Sequence, residues 1–221
     1  MKYLLKSMLY FLSIASAVLA APVQASDTKM YDVTITNITR GQTFTPIMVA
    51  THKKGQYIFK LGDPASNELA TIAESGNNQP LQDALLNSGA AYDTASSTGL
   101  LAPGESVTVR VKAKGSFKYT SVASMLIPTN DAFIAINGVR APKGHHASML
   151  VSPTYDAGSE MNDELCANIP GPHCGGEGIS AGDGGEGFVH IHAGIHGVGD
   201  LAPAIFDWRN PTAKVVIKRV K

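Results

Sequence analysis

The sequence predicts an all-β protein, an antiparallel sandwich with a small helical insertion. Three observations point there. First, Tyr31, Val33 and Ile35 alternate with Asp32, Thr34 and Thr36, and Val107, Val109 and Val111 alternate with Thr108, Arg110 and Lys112. Val215 and Ile217 alternate with Lys214 and Lys218 in the same way. Strict alternation of this kind marks a strand with one buried and one wet face. Second, glycine turn signals (Lys54-Gly55, Pro103-Gly104, Lys114-Gly115, Asn137-Gly138 and Lys143-Gly144) punctuate the chain. Third, helical spacing is confined to one stretch between residues 66 and 87.

Taken in chain order, the first 25 residues read as an export signal. Lys2 and Lys6 precede an apolar run from Met8 to Ala21, and small residues follow. The run is shorter than the ~18 residues a membrane span needs, so no stable membrane span is expected. Cleavage after Val23-Gln24-Ala25 starts the mature chain at Ser26, and Val18-Leu19-Ala20 is a second possible site. The protein is therefore expected to be exported, to the periplasm or outside the cell, with residues 26–221 forming one domain. After β-like runs at Pro46–Thr51 and Gln56–Lys60, Leu69, Ile72 and Ala73 sit at helical spacing behind an N-cap at Ser66, with Gly76 at the end. A second turn runs from Pro80 to Asn87. Further strand-like runs are Ser121–Ile127, Phe133–Asn137, Ala147–Val151 and Phe188–His192.

Composition narrows the function. There are 18 Lys+Arg against 18 Asp+Glu, and loss of Lys2 and Lys6 leaves 16 against 18, or −2. A nucleic-acid binder would show a basic excess, so that class is excluded. In an oxidising compartment Cys166 and Cys174, with seven residues between them, read as a disulfide. Such a loop contributes about 2.5 kcal/mol, pinning the glycine-rich stretch from 170 to 187 as one long loop.

Two acidic turns each follow an apolar run: Pro128-Thr129-Asn130-Asp131-Ala132-Phe133 and Thr154-Tyr155-Asp156-Ala157-Gly158-Ser159-Glu160. Brought together at one end of a sandwich, their carboxylates would repel unless a hard cation such as Ca²⁺ sat between them. Asp131 and Asp156 could equally cap their own turns. Glu105, in the turn after Pro103-Gly104, is a further candidate ligand. His190, His192 and His196 form a second constellation, with His190 and His192 on one face of a strand. These imidazoles suit Zn²⁺ or Cu²⁺, or else pack half-buried against Asp200, Asp207 or backbone. His145-His146 lies in another turn. Trp208 reads as the plug of one end of the sandwich. The chain has no Gly-x-Ser-x-Gly elbow and no phosphate-cradling glycine loop; Glu177, Asp183 and Glu186 make the glycine-rich loop acidic and repellent to phosphate. The remaining enzyme reading is a hydrolase with Asp131 and Asp156 as its acids.

The segment Ser124-Met125-Leu126-Ile127-Pro128-Thr129-Asn130-Asp131-Ala132-Phe133, followed by Tyr155-Asp156-Ala157-Gly158-Ser159-Glu160, resembles the paired motifs of the spondin N-terminal domain family. Thr129 stands where the family often has Ser, and Ala132 where animal members have Trp. Tyr31–Asn37 is similar to the first strand of secreted bacterial members, and His-x-His-x-Gly-x-His-Gly leading to Asp207-Trp208-Arg209-Asn210-Pro211 resembles their C-terminal block. The resemblance implies a C2-like sandwich of about eight strands, in a non-enzymatic module that binds an extracellular protein or glycan in cell adhesion. It also implies a Ca²⁺ site at Asp131 and Asp156, with Glu160 nearby and Glu105 as a looser match. The rival expectation is a periplasmic transition-metal protein using His190, His192 and His196.

Overall fold

A computed structural model describes residues 27–179 and 184–220. The expected signal segment, residues 1–25, and Asp183 lie outside the described residues. Two antiparallel sheets face each other. One holds β5 (Ser106–Ala113), β1 (Lys29–Asn37), β11 (Ala213–Arg219) and β8 (Ser148–Ser152), in that order. The other runs β10 (His190–Ile191), β9 (Thr154–Asp156), β7 (Ala132–Arg140), β6 (Tyr119–Ile127), β3 (Met48–His52) and β4 (Ala91–Ser96), with β2 (Thr43–Phe44) also paired to β6. The eight strands of five residues or more match the expected count; the two- and three-residue strands β2, β9 and β10 are additional.

The alternating segments behave as the pattern requires. Val33 and Ile35 of β1, Val109 and Val111 of β5, and Val215 and Ile217 of β11 point inward onto Val49, Val122, Leu126, Ile134 and Ile136 of the facing sheet. The wet face carries cross-strand pairs: Thr34 with Thr108, and Asp32 with Arg110 through two hydrogen bonds. β3 and β6 are instead buried almost throughout, polar positions included, because both of their faces are covered. The outer face of β3, β6 and the neighbouring β7 carries Met48, Ala50, Ala123, Phe133 and Ala135, which pack beneath Leu69 and Ile72 of α1 (Asn67–Ser75) and Leu81 of α2 (Gln79–Asn87). The helical insertion is thus the lid of a second apolar layer. Ser66 caps α1 by accepting from Leu69 N–H, and Gly76 ends it in the left-handed region.

Two local expectations are corrected. Gln56–Lys60 is not a strand. One side chain holds the middle of its backbone: Asn137 Oδ1 accepts from Ile58 N–H, and Asn137 Nδ2 donates to the Phe59 carbonyl. Asn137-Gly138 is not a turn either, but a bulge inside β7, where the register against β6 slips and Gly138 N–H donates to Ser121 Oγ. Trp208 is 7% exposed and belongs to the main core, which is the plug role expected of it.

Candidate metal centre

The acid turns and the histidine strand, separate in sequence, meet at one end of the seven-stranded sheet. β9 is the middle strand there. Asp156 pairs with Ala132 of β7 on one side and with His190 of β10 on the other. Asp131 immediately precedes Ala132, so the turn after β6 delivers it beside Asp156. Directly paired residues share a face with their Cβ atoms roughly 5 Å apart.

Gly158 makes the arrangement possible. It adopts φ +66°, and a Cβ there would lie 2.4 Å from the Phe188 carbonyl oxygen. Gly187 N–H donates to the Gly158 carbonyl at 2.9 Å. The glycine-rich loop therefore lies directly on the Asp-Ala-Gly turn, carrying Glu186 and His190 to Asp156.

Asp131 and Asp156 are 0% and 1% exposed. Asp131 Oδ2 accepts from Ser159 N–H (2.8 Å), Ser159 Oγ (3.2 Å) and Glu160 N–H (3.1 Å). Its Oδ1 is buried and has no hydrogen-bond partner among the described residues. Asp156 accepts from Gly158 N–H and from Asn162 Nδ2, both at 2.8 Å. Burial, then the neighbouring Asp156 charge, pushes Asp131 up to about 7. Burial pushes Asp156 up to about 6, with the charge of Glu186 acting the same way against hydrogen bonds from Asn162 and Gly158. Two carboxyl groups in contact in a dry site cannot both ionise freely; they share a proton or take a cation.

The histidines divide. His190 Nδ1 is buried, has no hydrogen-bond partner among the described residues, and lies 3.6 Å from Asp156 Oδ1. His192 Nδ1 accepts from Gly194 N–H at 2.9 Å, and its Nε2 faces Asn162 Oδ1 at 3.1 Å. The Nε2 proton is therefore donated to Asn162, whose amide is donated in turn to Asp156. Burial, with His190 and His196 nearby, depresses His192 to about 4, so its ring is neutral and serves to orient Asn162. His196 is exposed in the following loop. The expected trio of imidazoles is thus not one ligand set: the grouping is Asp156, Glu186 and His190, whose ligand atoms lie within 4.8 Å of one another.

Glu160 is 3% exposed beside this cluster, through its N–H on Asp131. Glu105 is not brought to it; its carboxylate accepts from Ala102 N–H at 3.3 Å and closes its own turn. Cys166 and Cys174 form a disulfide, as expected. His145 and His146 are exposed in their turn.

Asn162, Glu164 and Glu186 are the site residues that sequence reasoning missed as such. Glu164, 3% exposed and at φ 57°, accepts three consecutive backbone N–H groups, from His196 (2.5 Å), Gly197 (2.7 Å) and Val198 (3.0 Å). It fastens the loop after β10 to the turn after β9. The available signal was the density of Asn, Asp and Glu between 159 and 164 in a turn, where such side chains commonly bond backbone.

Fold and cluster together define an antiparallel β-sandwich module with a carboxylate–histidine centre at one end. The family model described as Spondin_N matches residues 29–159, more than half of the chain, and the chain belongs to the spondin N-terminal domain family. That assignment makes it a module of extracellular type, in keeping with its disulfide. No helix among the described residues is long and apolar enough to cross a membrane. No curated protein matches the chain. Asp131 and Asp156 fall inside the matched segment, whereas Glu186, His190 and Trp208 lie beyond it.

Proposed function

We propose that the chain is a non-enzymatic extracellular binding module whose carboxylate end holds Ca²⁺ between Asp131 and Asp156, with Glu160 beside them. Bound there, the ion fixes the turns after β6 and β9 as a docking surface for an extracellular protein or glycan. The observation that carries this reading is Asp131 Oδ1, fully buried and without a hydrogen-bond partner among the described residues, next to a second buried carboxylate. A buried anionic oxygen left without a donor is costly, and a hard cation that takes oxygen ligands is the group that offsets it. The contact between the two carboxyls also favours binding over catalysis. Glycoside hydrolysis works with acids about 5–9.5 Å apart and a sugar between them.

The test is thermal. A cation that binds only the native state at a hundred times its dissociation constant contributes about 2.7 kcal/mol. For a domain of this size that raises Tm by roughly 5–10 °C. Calcium added to chelator-treated protein should produce this rise. Asp131→Asn and Asp156→Asn should each abolish most of it while remaining folded, and the double variant should lose little more than either single one. An unchanged Tm at about 10⁻³ M Ca²⁺, the weak limit for extracellular modules, would leave the two aspartates as turn caps.

A further inference from the structure

We propose that the rim of this centre, formed by Asp156, Glu186 and His190, binds a first-row transition dication, with Zn²⁺ as its representative. The inference rests on the reading of this end as a metal centre, and it adds a nitrogen donor and a different class of ion.

Spacing carries the argument. His190 Nδ1 lies 3.6 Å from Asp156 Oδ1. A hydrogen bond between them would be about 2.7–3.2 Å. Two donors bound to one tetrahedral ion, each 2.0–2.2 Å from it, lie about 3.4 Å apart. The gap is thus too long for the two groups to satisfy each other and close to the spacing that a shared ion imposes. A Glu186 carboxylate oxygen lies within 4.8 Å of both, which supplies a third donor. His190 Nδ1 itself is buried and without a hydrogen-bond partner among the described residues, although the ring is partly accessible, with its side chain 31% exposed. An imidazole is a ligand for Zn²⁺, Cu²⁺ or Ni²⁺, whereas Ca²⁺ takes oxygen alone.

The surroundings fit this use. Asp156 is held by Gly158 N–H and Asn162, and Asn162 by His192, so the central carboxylate has a fixed orientation. Glu186 sits on the accessible side, where an ion can enter. The other ligand-type cluster among the described residues, Cys166, His173 and Cys174, has its sulfurs tied in the disulfide and offers no thiolate.

The experiment uses the full mature chain, freed of metal by chelator, with Zn²⁺ alone and Ca²⁺ alone as probes. Wild type should take up one tightly held equivalent of Zn²⁺ in competition with a chromophoric chelator. His190→Gln and Glu186→Gln should each weaken that equivalent by at least tenfold. Both variants should keep the Ca²⁺-dependent rise in Tm, and their chelator-treated Tm should stay within about 2 °C of wild type because both positions are partly or fully exposed. Zn²⁺ uptake that is unchanged in His190→Gln would overturn the inference, as would wild type without a tight equivalent. Loss of the Ca²⁺ response in wild type with His190-dependent Zn²⁺ uptake intact would overturn the calcium reading instead and leave this one standing.

Discussion

The two ends of the β6–β7 hairpin, roughly 25 Å apart along nine-residue strands, both gather like charge, and they do so in opposite ways. At one end Asp131 and Asp156 are buried, and backbone and side-chain donors fix them. At the other, Lys29, Lys114, Lys118, Arg140 and Lys143 line a cavity of about 180 Å³ with only Asp27 opposing them. Its apolar floor is Tyr31 and Ala141, while the charged heads of Lys114, Lys118, Arg140 and Lys143 reach water. Exposed like charges are screened and cost little. Buried ones are expensive and persist where something else draws on them. The two ends share charge density; they differ in burial and in fixed orientation.

Substitutions at matched positions should widen that contrast. Gly158→Ala places a Cβ 2.4 Å from the Phe188 carbonyl oxygen at φ +66°. We expect a loss of about 3 kcal/mol, a fall in Tm of roughly 10 °C. Metal binding should fall with it, because the Glu186–His190 loop is displaced. Gly115→Ala at the basic end, at φ +55° with nothing within 4 Å, carries backbone strain only and should cost about 1 kcal/mol. Comparable losses at the two glycines by calorimetry would remove the distinction.

Next in size is the cost of the buried charge itself. In chelator at pH 8, Asp131→Asn should raise stability by about 2 kcal/mol, since it deletes one of two like charges in contact and gives Asp156 an amide donor. Lys118→Ala at the basic end should change stability by less than ~0.5 kcal/mol. Denaturant unfolding of the two variants against wild type is the measurement. Equal and small effects would show that burial does not penalise the acid pair.

The smallest expected effect is a titration on the other half of the sheet. His52, paired with Tyr119 where β6 begins, has its Nε2 on Ser121 Oγ and its Nδ1 on the Lys53 carbonyl. Burial lowers its pKa against that backbone hydrogen bond. The unfolded chain therefore takes up a proton near pH 6.5 that the folded chain refuses. Stability contributed by neutral His52 is complete above that pH and is lost as pH falls from there through the folded value. The stability difference between wild type and His52→Gln should accordingly shrink between pH 8 and pH 5. A difference independent of pH would rule out the burial effect.

The sandwich itself was legible because alternation survives wherever one face is wet, as in β1, β5 and β11. Ser66 and Gly76 bracketed α1 for the same local reason, since caps act within one turn. Gln56–Lys60 misled because its apolar content serves the outer layer, with Ile58 and Phe59 packed among the helices, while its backbone bonds go to Asn137. In the site, Asp131 and Asp156 were legible as acids at strand ends. Their union with His190 was not, because it depends on β10, a two-residue strand whose partner no local pattern specifies. His192 shows the limit from the other side. An i, i+2 histidine pair promises two ligands, but only the hydrogen bonds of Asn162 and Gly194 reveal that one ring is already committed.

The place of β1 has a consequence for how the chain acquires its shape. β1 lies inside its sheet, between β5 and β11, and Tyr31 is aligned with Arg219. β1 thus waits for β5 and β11, and no early hairpin completes the four-stranded sheet. Long-range closure of this kind is slow, because loop entropy is lost before the contacts that offset it form. The four-stranded sheet stays open until β11 has been made, so the chain keeps an unfolded, threadable form through most of the domain's synthesis.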